Sequence, residues 1–145
     1  MTDSFEIQRH NHNKGWSQGF FTDVITVQGP AKFIYISGIA AEADVATPAE
    51  MHTQAIGDFA EQTRIAYAKL KALLAAHGAT FHDVVRMTTY VLDRANVYVY
   101  HEVQHEALEG APPPPHTFLQ VASLAMPDML VEVEVTAAVP ADRVP

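Results

Sequence analysis

The chain has 145 residues, of which 48% are hydrophobic and 18% charged, a balance typical of globular proteins that excludes intrinsic disorder. Its formal net charge of −8 disfavours nucleic acid as a partner, because binding a phosphate backbone needs a basic surface. It has no cysteine, which excludes disulfides, thiolate catalysis and cysteine-ligated metals. We expect one domain, residues 1–145, located in the cytoplasm, because neither an export signal nor an apolar run of about 20 residues is present.

Three β-rich segments open the chain. Alternating residues predict a strand over 5–9, and the β-branched and aromatic content of 23–28 and 32–37 predicts two more. Gly29-Pro30 separates the second segment from the third and is a turn signal. We therefore expect those two strands to pair as a hairpin.

Helix-start signals occur twice in the next stretch. Thr47-Pro48 has a capping pattern that we assign to a short turn, whereas Asp58, with Glu61 three residues later, begins the main helix. Apolar residues at helical spacing continue this helix as far as Gly78, a residue suited to a helix end. A segment rich in Val, Thr and Tyr, residues 81–93, is then predicted to be a strand.

A helix and two strands are predicted for the C-terminal third. Residues 96–108 begin with strand propensity but carry apolar side chains at helical spacing, and we assign them to a helix. Strands over 117–122 and 130–137 follow. In the last strand, period-two alternation buries the valines and directs Glu132 and Glu134 to the opposite face. That face is either a solvated edge or one wall of a cleft.

The predicted order ββαβαββ, with an additional N-terminal strand, implies an α+β sandwich in which both helices cover one face of a sheet. The other face of the sheet, together with Trp16, Phe20 and Phe21, leaves more apolar surface than one small domain can bury. Self-association is the simplest way to cover it, and we therefore expect an oligomer.

Seven short pieces, spread over nearly the whole chain, occur in an order and spacing that are distinctive as a set: Gly15-Trp16-Ser17-Gln18, Phe33-Ile34-Tyr35-Ile36-Ser37-Gly38, Gln62-Thr63, Gly78-Ala79-Thr80, Asp83-Val84-Val85, Val121-Ala122-x-Leu124 and Leu130-Val131-Glu132-Val133-Glu134. Together they resemble the RidA (YjgF) family of reactive-intermediate deaminases. The resemblance implies a chorismate-mutase-like fold, with a mixed β-sheet and two helices on one face, and a homotrimer with ligand clefts between subunits. It also implies hydrolysis of enamines and imines without a metal or organic cofactor.

The resemblance implies roles for individual residues. Glu132 stands where the family has the glutamate that orients the attacking water, and His116 stands where it has the arginine that grips the substrate carboxylate. Five further residues match positions that bind substrate or shape the pocket: Trp16, Ser17, Ser37, Gly38 and His101. Trp16 stands where tyrosine is usual, and His101 stands where asparagine is usual.

Histidine at position 116 changes the chemistry that the resemblance implies. Arginine is always charged and offers a planar fork, whereas histidine has a reference pKa of about 6.5 and holds a carboxylate less firmly. A histidine can, however, transfer a proton near neutral pH. We therefore expect a substrate different from the family's usual small 2-imino acids.

Our principal hypothesis is a RidA-like hydrolase that acts on an imine, enamine or related C–N bond of a small organic acid, with Glu132 and His116 catalytic. The alternative is a non-catalytic trimer that binds a small metabolite, in which Glu132 is a solvated strand residue and His116 caps a strand. Ribonuclease activity is a third class, which the net charge of −8 opposes. A metal site built from His101, His116 and Glu132 is chemically conceivable, but we predict none. The expected partners are the substrate and further copies of the chain, not nucleic acid or a membrane.

Overall fold

The computed structural model describes residues 4–12 and 15–145. Its strands in this range are β1 (Glu6–His10), β2 (Val24–Gln28), β3 (Ala31–Ile39), β4 (Val84–Val91), β5 (His116–Gln120) and β6 (Val131–Pro140). Its α-helices are α1 (Phe59–Ala76) and α2 (Val97–Leu108), and 3-10 turns span Pro48–Glu50, Phe81–Asp83 and Arg94–Asn96. Every predicted strand and helix is therefore present. The strand predicted from residue 81 begins only at Val84, because Thr80 and Asp83 form a capping box around a 3-10 turn.

Strands β3, β6, β4 and β5 form a mixed sheet in that order, in which β4 and β5 run parallel and the other pairs are antiparallel. Strands β1 and β2 pair with each other in a separate two-stranded sheet. The predicted hairpin between β2 and β3 is therefore wrong. Gly29 does turn the chain there, with φ at 83°, but β2 bonds to β1 and β3 bonds to β6. A turn signal specifies a change of direction and not the partner of each strand.

Both helices pack on one face of the four-stranded sheet, as predicted. Helix α1 is capped at its N-terminus by Asp58, whose side-chain oxygen accepts a hydrogen bond from the Glu61 backbone N–H at 3.0 Å. It buries Leu70 and Leu74 against the sheet and packs beside α2. The core lies between this helical layer and the sheet.

Strand β6 shows how the sequence separates the two faces of the sheet. Val131, Val133 and Val135 are buried in the core, whereas Glu132 and Glu134 lie on the opposite face and are partly exposed. This alternation confirms the period-two prediction. The face away from the helices is called the open face below. In the described part of the chain, no helix combines the length and the apolar character needed to cross a bilayer.

Candidate functional site

A cavity of about 530 Å³ opens beside the N-terminal end of α2. It is called the aromatic cavity, and its lining residues come from the loop before β2, from α2 and from β5: Trp16, Phe20, Phe21, Val97, Tyr98, His101, His116 and Phe118. No Lys, Arg, Asp or Glu side chain occurs among these lining residues. The cavity is therefore mostly apolar, with two imidazole rings as its main polar groups.

The proline run before β5, residues 112–115, connects two walls of the aromatic cavity through hydrogen bonds. These prolines lie in no helix or strand, so regular secondary structure does not use their carbonyl groups, which accept hydrogen bonds from other elements. Pro113 O accepts from Thr22 Oγ1 at 2.6 Å, and Pro115 O accepts from the Met87 N–H at 2.9 Å. The first bond attaches the loop before β2, called the aromatic loop because it carries Trp16, Phe20 and Phe21, to the proline run. The second sets the position at which β5 begins with His116.

His116 lies largely buried between the cavity and the core. Its Nε2 is 2.8 Å from Thr89 Oγ1, and its ring lies 5.6 Å from the Tyr100 ring, centroid to centroid. Burial lowers the pKa of His116 to about 3, and positive charge at His101 and Arg86 acts in the same direction. The ring is therefore uncharged at neutral pH.

His101 forms a second, partly buried wall of the cavity. Its Nδ1 is 3.0 Å from Gln104 Oε1 one turn along α2, and its ring contacts Phe20 edge-to-face with centroids 4.8 Å apart. Its centroid is 6.0 Å from that of His116. Burial lowers the pKa of His101, and this lowering outweighs the opposing effect of the Gln104 hydrogen bond.

A second polar group, called the carboxylate face, lies on the open face of the sheet. It consists of Glu132 and Glu134 on β6 with Ser37 and Gly38 on β3. The Glu134 carboxylate accepts a hydrogen bond from Tyr90, whereas the Glu132 carboxylate accepts none from any described residue. Burial raises the pKa of Glu132, and the neighbouring carboxylates Glu42 and Glu134 raise it further.

Gly38 leaves the space that the Glu132 carboxylate occupies. A Cβ atom at position 38 would overlap Glu132 Oε1, so a side chain there would displace the carboxylate from its present position. The β3–β6 register shifts by one residue between Ile36 and Ile39, which marks a bulge at Ser37-Gly38. The bulge thus turns the backbone of Gly38 towards Glu132.

The residues that the resemblance assigned to one site fall into two groups in a single chain. Trp16, His101 and His116 line the aromatic cavity, whereas Glu132, Ser37 and Gly38 form the carboxylate face. Ser17 is buried below the aromatic loop, where its carbonyl accepts a hydrogen bond from Phe20 N–H at 3.1 Å.

The two groups lie on opposite faces of the sheet. Cross-strand partners share a face, and His116 is paired with Met87 whereas Glu132 is paired with Tyr90. Met87 and Tyr90 are three residues apart on β4, so their side chains point to opposite faces. Within one chain, His116 and Glu132 therefore cannot act on the same substrate atom.

Sequence reasoning missed the polar residues behind the two histidines. Thr89, Tyr100 and Gln104 are buried, and they bind His116 or His101 directly or through one another. One signal was available: Thr89 is a polar residue on the β4 face that otherwise buries Met87 and Val91. Within residues 4–12 and 15–145, no cluster of three or more His, Asp or Glu side chains is arranged to hold a metal ion.

Comparison with known proteins identifies the family. The sequence model described as "Endoribonuclease L-PSP" matches residues 17–139. The RutC family protein YjgH of Escherichia coli strain K12 is 32% identical over 108 residues, which cover 74% of this chain and 76% of that protein. The chain belongs to the RidA/YjgF superfamily.

Solved structures of RidA/YjgF members agree with this assignment. The Rid-family protein YyfB from Yersinia pestis, described as of unknown function, superposes with a TM-score of 0.79 at 31% identity and covers 92% of this chain and 98% of its own. The Mycobacterium tuberculosis protein Rv2704, of the YjgF/YER057c/UK114 family, gives a TM-score of 0.60 at 25% identity, with coverage of 92% and 100%. The α+β fold expected from the resemblance is confirmed.

Proposed function

We propose that this RidA/YjgF member is a hydrolase of imine, enamine or related C–N bonds that acts in clefts between the subunits of a homotrimer. Each cleft would join the aromatic cavity of one subunit to the carboxylate face of a neighbour. The observation that carries the proposal is the Glu132 carboxylate, which has no hydrogen-bond partner among the described residues and a raised pKa. Such a carboxylate is suited to accept a proton from water.

The reaction needs only water and a proton carrier. An enamine first tautomerises to the imine, gaining a proton at carbon and losing one from nitrogen. Water then adds to the imine carbon as Glu132 accepts its proton, and the carboxyl group returns that proton to nitrogen. Cleavage of the C–N bond of the resulting carbinolamine gives a carbonyl compound and ammonia, so that one water is consumed for each ammonia released.

The neutral histidines modify the substrate expected from the resemblance. His116 and His101 both have lowered pKa values, and the described lining of the aromatic cavity contains no cation. A substrate carboxylate would therefore find no ionic partner in the cavity itself. This favours a small, mostly apolar substrate over the small organic acid of the original hypothesis.

The two-subunit arrangement is supported by the geometry of one chain. His116 and Glu132 lie on opposite faces of the sheet, and Phe33 and Tyr35 are exposed on β3 with 47% and 78% of their surface accessible. Packing a neighbouring subunit against the open face would bury these rings. It would also bring the Glu132 of this face to the aromatic cavity of the neighbour, which has no carboxylate of its own.

The test is ammonia release from 2-aminoacrylate, 2-aminocrotonate and an uncharged enamine, each generated in the cuvette. We expect the wild-type protein to accelerate hydrolysis and Glu132→Gln to lower kcat by about 100-fold or more, because the amide cannot accept the proton. Glu134→Gln is the matched control, since Glu134 shares the face and strand but is bonded to Tyr90. Equal losses in the two variants, or no acceleration by the wild type, would contradict the proposal.

The alternative proposal is a non-catalytic trimer that binds a small metabolite. The observation in its favour is the cavity of about 530 Å³, whose polar groups are uncharged and lie on the face away from Glu132 within one chain. Saturable ligand binding with no turnover, unchanged by Glu132→Gln, would support it. The ribonuclease activity named in the family's description gains no support from a chain with a net charge of −8.

A further inference from the structure

Three buried hydroxyl groups form a hydrogen-bonded row behind His116. Tyr67 and Tyr100 approach each other at 2.6 Å between hydroxyl oxygens, Tyr100 approaches Thr89 Oγ1 at 2.6 Å, and Thr89 Oγ1 is 2.8 Å from His116 Nε2. Each hydroxyl has one proton to donate. If Thr89 donates to His116, the directions of the other two hydrogen bonds are therefore fixed as well.

The arrangements of this row fall into two kinds. In the first, Tyr67 donates to Tyr100, Tyr100 to Thr89 and Thr89 to His116 Nε2, so every proton meets an oxygen or an imidazole nitrogen. In the second, His116 donates to Thr89, and the proton of either Tyr67 or Tyr100 is left to the Met87 sulfur, which lies 3.4 Å and 3.6 Å from the two hydroxyl oxygens. Thioether sulfur is a weak acceptor, so the first direction is favoured.

This direction determines the tautomer of His116. A neutral imidazole that accepts at Nε2 carries its proton on Nδ1. The Nδ1 atom makes no hydrogen bond within the described part of the chain, and the ring lines the aromatic cavity. His116 therefore offers the cavity one N–H donor.

The tautomer of His101 follows from the hydrogen bond at its Nδ1 atom. Its Nδ1 faces Gln104 Oε1, and an amide oxygen can only accept a hydrogen bond, so Nδ1 carries the proton. The orientation of the Gln104 amide is supported by its nitrogen, which donates to Met87 Sδ at 3.4 Å. Neutral His101 therefore keeps a free acceptor lone pair on Nε2.

We infer that the aromatic cavity binds an uncharged ligand with an adjacent acceptor and donor, as in an amide or a vinylogous amide, and that His116 Nδ1–H donates to it while His101 Nε2 accepts. The ring centroids are 6.0 Å apart, a separation that two hydrogen bonds of about 2.9 Å to one amide edge can bridge. Phe20 and Phe118 would pack against the apolar part of the ligand. The inference rests on the proposed function for the use of this cavity, but its test measures binding and not turnover.

The probes are benzamide, N,N-dimethylbenzamide and benzoate, which share a ring and differ in donor or charge. Their binding is followed by the fluorescence of Trp16, the single tryptophan of the chain, which lines the cavity. We expect benzamide to bind about tenfold more tightly than either relative at pH 7, the difference that one hydrogen bond makes. Benzoate binding as tightly as benzamide, or no binding of benzamide, would overturn the inference.

Substitutions of the two histidines test whether they make the hydrogen bonds to benzamide. His101→Phe and His116→Phe should each remove the preference for benzamide, whereas His105→Phe, on an exposed position of the same helix, should keep it. Thr89 is a positioning residue that acts through His116. Thr89→Val keeps its shape but removes the hydroxyl that donates to His116 Nε2, and we expect benzamide binding to weaken by about tenfold. An unchanged preference in His101→Phe and His116→Phe would overturn the inference.

Nitrogen-15 NMR of the wild-type histidines tests the tautomers without any substitution. We expect His116 and His101 both to carry their proton on Nδ1, and Thr89→Val to shift His116 towards the other tautomer. A wild-type His116 protonated on Nε2 would overturn the inference even if enamines are hydrolysed. Benzamide binding by a protein that hydrolyses no enamine would instead reject the proposed function and leave the inference standing.

Discussion

At the scale of single residues, His116 couples the protonation of the chain to its folding. Its ring packs near Tyr100 and Phe118 and bonds to Thr89, and this burial lowers its pKa to about 3 from an unfolded value of about 6.5. Between these two pH values the unfolded chain binds a proton that the folded chain does not. The contribution of His116 to the free energy of unfolding therefore falls as the pH is lowered from about 6.5 to about 3.

The prediction is a difference between the wild type and His116→Gln. Glutamine has no proton to gain, so the stability advantage of the wild type should shrink by up to about 1.4 kcal/mol for each pH unit between 5.5 and 4. Urea unfolding at several pH values measures this slope. The lowered pKa of His101 acts in the same direction in both proteins and largely cancels in the comparison. Parallel pH profiles for the two proteins would show that His116 is not buried in its neutral form.

At the scale of secondary-structure elements, the bulge of β3 and the side chain of Glu132 are fitted to each other. We predict that Gly38→Ala lowers the free energy of unfolding by about 1 kcal/mol or less, the lower end of the cost of overpacking, because the new methyl group overlaps a carboxylate that can move aside. Chemical denaturation measures the loss. In a Glu132→Ala background the same change should cost much less, since the overlapping atoms are gone. Equal losses of stability in both backgrounds would mean that glycine is needed at position 38 for the backbone conformation and not for the space that Glu132 occupies.

The elements also show what local sequence patterns can and cannot predict. Capping residues and helical periodicity were sufficient to predict α1, and alternation was sufficient to predict which side chains lie on each face of β6. Both signals arise from residues within the element itself. The β2–β3 hairpin was wrong because strand pairing depends on β1 and β6, which lie elsewhere in the chain.

The same limit applies to the candidate site. The resemblance singled out Trp16, His101 and His116, which do line one cavity, although their roles stay predictions. The resemblance did not identify Thr89 and Tyr100 as residues of the site. The hydrogen bonds that connect them to His116 and Tyr67 join residues 11 to 33 positions apart in the sequence. Such contacts leave no local pattern in the chain.

At the scale of the whole molecule, the sheet itself separates the proposed proton acceptor from the aromatic cavity. Glu132 shares a face with Tyr90, and His116 shares the other face with Met87. If the cleft joins two subunits, then a subunit with a defective cavity still offers an intact carboxylate to its neighbour. Activity should therefore be recoverable from two defective proteins, a behaviour that a site within one chain cannot show.

We predict this recovery for hybrid trimers of His116→Ala and Glu132→Gln subunits, produced by co-expression with two different affinity tags and purified on both. Each variant alone should be inactive in the enamine assay. Purification on both tags keeps only mixed trimers, and in each mixed trimer one of the three clefts combines an intact cavity with an intact carboxylate. About a third of wild-type activity should therefore return. Hybrids in which both tagged chains carry Glu132→Gln are the control for incomplete inactivation and should stay inactive. If the mixed hybrids are as inactive as this control while the wild type turns over, the two groups do not meet across a subunit interface.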